Sequence, residues 1–277
     1  MKLSEYIRLN ITDCFAAIPT DKCRGAVTRL IADAPCPLYA VMMAVPYPCA
    51  ERGPLASFAR IPDYHRFFVS FEEKISSLLK ERYDDVYVRI FTDHSPIDER
   101  DAAVRAGLGV KGDNGLFISE KYGSFVFLGE IVCSLTEEQL ANEGVPTVCT
   151  EPGECLHCGE CAAACPAGCI GGDKSHCVSA LTQRKGQISD TEADIIKMSG
   201  YAWGCDICAL VCPMNDGVEA TYNKFFTSGT IDPVTYADVD AMSDEEYGKY
   251  PFSWRKKEVL RRNFDIVEKR SKESKND

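Results

Sequence analysis

The sequence predicts an α+β protein, in which a mixed α/β N-terminal domain is followed by a cysteine-rich domain. Helix-like and strand-like patterns alternate through the first half of the 277 residues, which is typical of helices packed on a sheet. Most of the 15 cysteines lie instead between positions 155 and 212, in two spaced groups. We therefore expect an α+β domain over residues 1–145, a cysteine-rich domain over 146–230 and a C-terminal helical segment with a basic tail over 231–277.

The N-terminal elements follow from apolar patterns. Residues 3–33 are expected to form helices broken at Pro19. The continuous apolar run at 38–45 lies between prolines and predicts a strand buried on both faces. A helix with one apolar face is expected from Phe67 to Leu79, and another at 97–106. Further strands are expected at 86–92, 116–119 and 124–133.

An acidic residue stands where one of these strands ends. Asp93 follows the strand expected at 86–92 and precedes Ser95 and Pro96. Side chains at such a position can face a cleft and take part in chemistry. An aspartate before Ser-Pro is also a common turn or helix cap, so the residues alone leave both interpretations open.

The two cysteine groups have the spacing of a bacterial ferredoxin. The first reads Cys155-x2-Cys158-x2-Cys161-x3-Cys165-Pro166, a run in which three cysteines hold one cubane cluster and the fourth reaches a second. The second group, Cys205-x2-Cys208-x3-Cys212-Pro213, repeats the end of this pattern, and Cys177 supplies an early cysteine. The spacing predicts two [4Fe-4S] clusters in a ferredoxin-like domain.

The crossover rule assigns four cysteines to each cluster. One set is Cys155, Cys158, Cys161 and Cys212, and the other is Cys165, Cys177, Cys205 and Cys208. A zinc ribbon built from two of the cysteine pairs would need a much shorter gap between the pairs and would leave four well-placed cysteines idle. Disulfides are disfavoured because the N-terminal residues do not resemble a secretion signal, and we expect a cytoplasmic protein.

Charge and hydropathy exclude some functions. The net charge of −11 argues against a surface that binds nucleic acid over its whole extent. Residues 254–277 are an exception, with nine Lys or Arg against five Asp or Glu. This basic tail is expected either to contact RNA or to form a solvated terminal helix. No apolar run is long enough to span a bilayer, so no membrane contact is expected.

Several blocks of the sequence, taken in order, match the motifs of one known family. They are Ala59-Arg60 with Asp63-Tyr64-His65, Asp93-His94-Ser95-Pro96-Ile97-Asp98-Glu99-Arg100, Ala106-Gly107-Leu108-Gly109, Gly123-Ser124-Phe125-Val126-Phe127-Leu128-Gly129-Glu130 and Gly204-Cys205-Asp206-Ile207-Cys208 with Cys212-Pro213-Met214-Asn215. These blocks resemble epoxyqueuosine reductases, and the resemblance runs from about residue 35 to about residue 263. The glycine-rich loop at 107–115 has Asp113 where that family usually has lysine, and the sequence resembles a short form that lacks the family's C-terminal helical-repeat domain.

The resemblance implies a cobalamin-dependent reductase. Cobalamin would be held base-off between the N-terminal domain and the cluster domain, and electrons would pass through the clusters to cobalt. The implied reaction reduces epoxyqueuosine to queuosine in tRNA, with electrons from a low-potential donor such as flavodoxin or ferredoxin. Two alternatives stay open: a cobalamin reductase of a small molecule, similar to reductive dehalogenases, and a two-cluster electron-transfer protein without corrin.

The resemblance also implies roles for individual residues. Asp93 is the expected general acid for the departing oxygen, which requires burial to raise its pKa. Arg100 is expected to position substrate or to pair with Asp93. The remaining expected contacts to cofactor or substrate are Asp63, Tyr64 and His65 at the substrate mouth, Asn114 and Ser124 beside the corrin amides, and Ser179 and Thr182 near the nucleotide tail.

Overall fold

A computed structural model of the chain describes residues 1–25, 31, 34–35, 37–221, 223–232 and 234–273, with the backbone alone from 269 onward. These residues form two compact units that are interleaved in sequence. Unit 1 comprises Met1–Tyr47, Tyr64–His157 and Gly217–Asn223, and unit 2 comprises Pro48–Asp63, Cys158–Asp216 and Lys224–Asp277. The unit boundaries therefore differ from the domain boundaries expected after residues 145 and 230.

Within the described residues, unit 1 contains the strands and five α-helices. The helices are α1 (Leu3–Asn10), α2 (Tyr64–Val69), α3 (Glu72–Lys80), α4 (Glu99–Arg105) and α5 (Glu137–Asn142), and the strands are β1 (Phe15–Pro19), β2 (Tyr39–Pro46), β3 (Val88–Phe91), β4 (Gly109–Lys111), β5 (Phe117–Ser119) and β6 (Val126–Cys133). The main sheet has four antiparallel strands in the order β1-β2-β6-β3, and β4 pairs with β5.

The two central strands explain why the sheet forms. The apolar run of β2 is almost wholly buried, and β2 pairs along its full length with β6, with Val41 opposite Ile131. The strands expected at 38–45 and 124–133 are therefore confirmed. Met42 of β2 packs with Ala102 of α4, and Phe68 of α2 packs against Gly129 of β6. Because Gly129 and Glu130, the residue opposite Met42, face opposite sides of the sheet, both faces are covered, which explains why neither strand alternates between apolar and polar residues.

Two predictions in the N-terminal half are wrong. Residues 15–19 form β1 and not a helix, because Phe15 to Ile18 pair with β2, with Ala17 opposite Val41. A short apolar run fits either element, and only its partner decides between them. The single helix expected from Phe67 to Leu79 is divided into α2 and α3. Residues 26–30 and 32–33 of the expected N-terminal helices lie outside the described residues.

Unit 2 consists of short helices around an aromatic core. Trp203, Phe252, Leu260 and Phe264 are buried together in this core. No helix in the described parts of the chain is long and apolar enough to cross a membrane. The helices of unit 2 are α6 (Glu160–Ala164), α7 (Val178–Gln183), α8 (Asp190–Ser199), α9 (Ile207–Leu210), α10 (Lys224–Thr227), α11 (Tyr236–Ala241), α12 (Asp244–Tyr247) and α13 (Lys257–Glu273).

Buried polar side chains hold the pieces of unit 2 together. Arg60 is 3% exposed; its guanidinium donates to the carbonyls of Leu55 and Glu51 and to Asp232. Asn263, which is fully buried, donates from Nδ2 to the carbonyls of Thr182 at 2.7 Å and Ala202 at 2.8 Å. Each side chain therefore ties together stretches that are distant in sequence, because leaving these carbonyls unpaired would cost free energy.

A buried carboxylate anchors α1 in unit 1. Glu143, just after α5, is 3% exposed and accepts hydrogen bonds from the Leu3 amide at 2.7 Å and the Tyr83 hydroxyl at 3.0 Å. Arg82 donates to both of its oxygens at 2.8 Å. Burial favours the neutral acid, but these donors outweigh burial and hold the pKa of Glu143 below its ordinary value.

We predict that Glu143→Gln loosens α1, since the amide of Leu3 loses a charged acceptor and Arg82 loses its partner. The amides of α1 should exchange with solvent about tenfold faster or more, as expected for losing about 1–3 kcal/mol, in hydrogen-exchange mass spectrometry. Because the pKa of Glu143 is lowered on folding, the difference should be full near pH 7 and should shrink below about pH 4. The exposed Glu138→Gln on α5 is the control, and equal exchange in both variants would contradict the anchoring role.

Candidate active site and cluster ligands

A tight turn at the end of β3 presents the carboxylate of Asp93. The amide of His94 donates to the carbonyl of Thr92 at 2.7 Å, and Asp93 between them has a φ of 59°. Thr92 fixes the start of the turn, because its hydroxyl donates to the carbonyl of Leu128 at 2.8 Å. Left-handed backbone at a residue other than glycine is uncommon and concentrates at functional sites. The Asp93 side chain is 52% exposed and therefore open to a ligand.

An aromatic stack orients two partners of Asp93. The hydroxyl of Tyr64 donates to Asp93 Oδ2, and His65 Nε2 lies 3.3 Å from the same oxygen. The ring of Tyr64 stacks between His65 and Phe127, with centroid distances of 4.3 and 4.0 Å, and Phe127 stacks on Tyr47 at 4.3 Å. The structure thus brings together three residues that the sequence analysis selected from two separate blocks.

The protonation of Asp93 differs from the expectation. Burial raises the pKa of this carboxyl, but the hydrogen bonds from His65 and Tyr64 outweigh burial, and the pKa of Asp93 lies below its ordinary value. The raised pKa expected for a general acid is therefore absent from this arrangement. Asp93 is a carboxylate at neutral pH here, and its use as an acid requires a proton from elsewhere.

Arg100, Asn114 and Ser124 lie in the same unit. Arg100, on α4, donates from Nη1 to the carbonyl of Gly115 at 2.9 Å. Asn114 and Ser124 are each 7% exposed, and Asn114 Oδ1 accepts from the amide of Leu116 at 3.0 Å. Arg100 and Asn114 therefore both shape the glycine-rich turn, which leaves only part of their hydrogen-bonding capacity for a ligand.

The sequence analysis missed His157. Its Nδ1 lies 2.9 Å from Asp113 Oδ1 and 3.7 Å from the sulfur of Cys155. The carboxylates of Asp113 and Glu154, which accept hydrogen bonds from the imidazole, raise the pKa of His157. Asp113, the acid that stands where the family usually has lysine, thus has a basic partner. A histidine between two cysteines of a ligand motif was the signal that could have pointed to this pair.

The other predicted contacts lie in unit 2. The amide of Asp63 donates to the carbonyl of Lys249 at 2.8 Å. Ser179 Oγ accepts from Gln183 Nε2 at 3.0 Å. Thr182 is fully buried; its hydroxyl donates to the carbonyl of Val178 at 2.9 Å and accepts from the amide of Gly204 at 3.1 Å. The hydroxyls on α7 therefore stabilise the helix and the loop that leads to Cys205.

The thiols predicted for one cluster lie close together in unit 2. Burial, together with the neighbouring Cys177 and Cys165, raises the pKa of Cys208 to about 12. Burial and the neighbouring Cys208 likewise raise the pKa of Cys205 to about 12. These four sulfurs are a donor set of the kind that iron stabilises as thiolates.

The environment of Cys165 also suits a cluster. Burial raises the pKa of this thiol, but the backbone amides of Cys169, Ala167 and Gly168 outweigh burial and lower it. Amide donors directed at a cysteine sulfur favour its thiolate, the form that binds iron. Of the other predicted ligands, Cys158, Cys161 and Cys212 also belong to unit 2, whereas Cys155 belongs to unit 1.

A fifth thiol stands beside this set. Cys169 is 5% exposed, and its sulfur lies 3.7 Å from that of Cys165. Burial, the hydrogen bond to Cys165 and the charges of Cys177 and Cys165 raise the pKa of Cys169 to about 12. The ferredoxin spacing leaves Cys169 outside both predicted ligand sets, and we expect it to remain a buried thiol beside them.

Comparison with known proteins identifies the cysteine-rich segment as a cluster-binding domain. Residues 154–215 match the family model described as a 4Fe-4S double cluster binding domain. The chain is 33% identical over 207 residues to epoxyqueuosine reductase from Cyclobacterium marinum, covering 72% of this chain and 61% of that protein. It is 29% identical over 234 residues to the enzyme of the same name from Listeria monocytogenes, covering 81% and 59%.

Solved structures show the same likeness. Epoxyqueuosine reductase from Streptococcus thermophilus matches with a TM-score of 0.69 and 26% identity, over 86% of this chain and 65% of that one. A crystal structure of epoxyqueuosine reductase with an epoxyqueuosine-modified tRNA(Tyr) stem loop matches in fold, with a TM-score of 0.73 and 22% identity, over 95% and 79%.

The fold and the cysteine set together define a double [4Fe-4S] protein with an α+β domain. Within that class, homology over most of its length makes the chain a member of the family of the epoxyqueuosine reductases. The chain spans 61% and 59% of the length of the two curated relatives described above.

We predict different iron contents for two serine variants in unit 2. Cys177→Ser should lose about half of the iron, since Cys177 is an assigned ligand. Cys169→Ser should keep all of it, because Cys169 lies beside the assigned ligands but is not one of them. Anaerobic purification, iron analysis and the cluster absorption spectrum provide the measurement. If Cys169→Ser lost iron and Cys177→Ser kept it, Cys169 would be the cluster ligand and Cys177 would not.

Proposed function

We propose that this protein is a cobalamin-dependent iron-sulfur reductase that converts epoxyqueuosine to queuosine in tRNA. The observation that carries the proposal is the Asp93 carboxylate, held by Tyr64 and His65 on a strained turn, in a chain homologous to epoxyqueuosine reductases. Members of that family use two [4Fe-4S] clusters and cobalamin. We place the reaction in the cytoplasm, with a low-potential donor such as flavodoxin or ferredoxin.

The reaction sets clear requirements. An epoxide takes up two electrons and two protons, its oxygen leaves as water, and a carbon–carbon double bond remains. The clusters relay electrons one at a time, and their ligands are the two cysteine sets already assigned. When bound, the corrinoid supplies a low-potential metal centre that no side chain can replace. The chain itself must provide the protons and hold the substrate.

Asp93 is suited to deliver a proton once a ligand covers it. Water now reaches about half of its side chain, and burial is already the largest single influence on its pKa. A ligand that excludes this water strengthens desolvation, which raises the pKa towards the range of a general acid. Tyr64 and His65 keep the carboxyl oriented, and both can exchange a proton with it.

The basic C-terminal residues with described side chains, which lie between 255 and 262, divide into two groups. Three of them fix α13 and the turn before it, because Arg255 donates to the carbonyl of Gln183, Lys257 to that of Met242 and Arg262 to that of Gly186. Lys256 and Arg261 are exposed. We assign tRNA contact to these two residues, because phosphate binding needs accessible cations.

We predict that Lys256→Gln together with Arg261→Gln weakens tRNA binding. Removing two phosphate contacts should make the slope of log affinity against log salt less steep, by about 0.7 to 0.9 per contact. Fluorescence anisotropy with a tRNA carrying epoxyqueuosine measures both quantities.

The charge-matched control for this tRNA experiment is Lys74→Gln with Lys80→Gln, two exposed lysines of α3. An equal loss of affinity in the control would mean that net charge alone matters, and that the assignment of Lys256 and Arg261 to phosphate contact is wrong.

We predict that Asp93→Asn abolishes queuosine formation while the spectra of the clusters and of added cobalamin stay unchanged. The amide keeps the shape of the side chain but cannot give up a proton to the departing oxygen, so turnover should fall about 100-fold or more. Anaerobic assay of the nucleoside product measures this fall. Substantial turnover would remove Asp93 from the acid role.

Cofactor binding by the wild type tests the proposal as a whole. Protein purified without oxygen and supplied with cobalamin should contain about eight irons and bind corrin in its base-off form. The same iron content without corrin would identify a two-cluster electron-transfer protein. Corrin binding without turnover of modified tRNA would point to a small-molecule substrate.

A further inference from the structure

Two further carboxyl groups, those of Glu99 and Glu130, contact the turn that carries Asp93. Glu99, the first residue of α4, accepts a hydrogen bond from the backbone amide of Asp93, at 2.8 Å from Oε1. Glu130, on β6, accepts one from the hydroxyl of Ser95 through its own Oε1. Both contacts are made to the turn that carries Asp93, so three carboxyl groups converge on one short segment.

Glu130 is placed where a charge is costly. It is fully buried in the centre of the main sheet, opposite Met42 of β2 and Phe91 of β3. Its Oε2 has no hydrogen-bond partner among the residues described. A buried carboxylate with one unpaired oxygen is strongly disfavoured, whereas a protonated carboxyl can donate to a neighbour.

Burial and the neighbouring charges explain why Glu99 and Glu130 hold a proton. Burial and the carboxylate of Asp93 raise the pKa of Glu99 to about 7, although Arg100 acts in the opposite direction. Burial and Glu99 raise the pKa of Glu130 well above its ordinary value. His94 faces Asp93, and Cys23 faces Glu130 as a thiol whose pKa burial raises to about 12. The surroundings therefore leave a proton on the pair at neutral pH.

We propose that Glu99 and Glu130 form a proton-holding pair that protonates Asp93 during the reaction. This inference rests on the proposed function, because it explains how a carboxylate becomes a general acid. Glu99 gives a proton to Asp93, which becomes neutral, and Glu99 becomes a carboxylate beside Glu130, which stays protonated. Asp93 then passes the proton to the departing oxygen, and solvent restores the proton of the pair through Glu99, which is partly exposed.

The arrangement favours transfer when a ligand is bound. While water reaches Asp93, its pKa is low and the proton stays on the pair. Exclusion of that water raises the pKa of Asp93, which then approaches the pKa of the group that gives up the proton. Transfer between groups of matched pKa is fast and needs no free acid from solution.

Infrared spectroscopy of the cluster-loaded protein tests the pair without any substrate. We expect the carbonyl stretch of a protonated carboxylic acid near neutral pH, with a shift in D₂O. Glu130→Gln should remove the part of this band that belongs to Glu130, because burial keeps the native carboxyl protonated and glutamine has no carboxyl proton. Glu99→Gln should keep the band at a shifted frequency, because burial alone keeps Glu130 protonated.

The control for the infrared experiment is Glu143→Gln, which replaces a buried carboxylate that is ionised in its contact with Arg82. It should leave the band unchanged. A spectrum without the band in the wild type, or a band that survives Glu130→Gln unaltered, would overturn the inference.

The pH dependence of turnover tests the transfer itself. Both Glu99→Gln and Glu130→Gln should lower turnover about tenfold and move the alkaline limb of the profile to lower pH, without loss of iron. Unchanged profiles would reject the transfer role. If the wild type showed the infrared band but did not convert epoxyqueuosine, the proposed function would be rejected. The protonation of Glu99 and Glu130 would still stand.

Discussion

The antiparallel pairing of β6 with β2 and with β3 positions the groups of the candidate site in unit 1. Phe127 of β6 supports the ring of Tyr64, and the carbonyl of Leu128 fixes Thr92. Glu130, two residues further, lies behind Asp93. Because side chains alternate along a strand, a slip of one residue would move all of these groups to the wrong face. The chemistry of Asp93 therefore depends on the register of a single strand.

Unit 2 obtains its order in a different way. Its cysteines stand on short helices and loops, which bury little area on their own. Arg60 and Asn263 compensate by satisfying backbone carbonyls from several loops. Gly204 has a φ of 69°, and a Cβ at this position would lie 2.6 Å from the Cβ of Ala56. The loop before Cys205 therefore needs glycine for its backbone conformation and for close packing.

The sequence was most informative where the chemistry is local. Ligand spacing predicts which cysteines reach a cluster, and the family model confirms the double-cluster domain at residues 154–215. The strand at 38–45 was predictable because its eight residues between two prolines suit the length of a strand and are fewer than a typical helix needs. The contact of Asp93 with Tyr64 and His65 was out of reach, since it depends on residues 29 and 28 positions apart. Strand β1 and the direction of the Asp93 pKa likewise depend on neighbours that only the fold supplies.

The interleaving of the two units limits how this chain can recombine with its relatives. Residues 48–63 belong to unit 2 although both flanking stretches belong to unit 1, and within unit 2 they contact Asp206 through Ser57 and Asp232 through Arg60. A single crossover near residue 145 would combine residues 48–63 of one protein with the cluster-domain residues of another, which need not make the same contacts. Exchange of cluster domains between homologues therefore requires at least three breakpoints, near residues 47, 63 and 157, so that the short segment travels together with the cysteines.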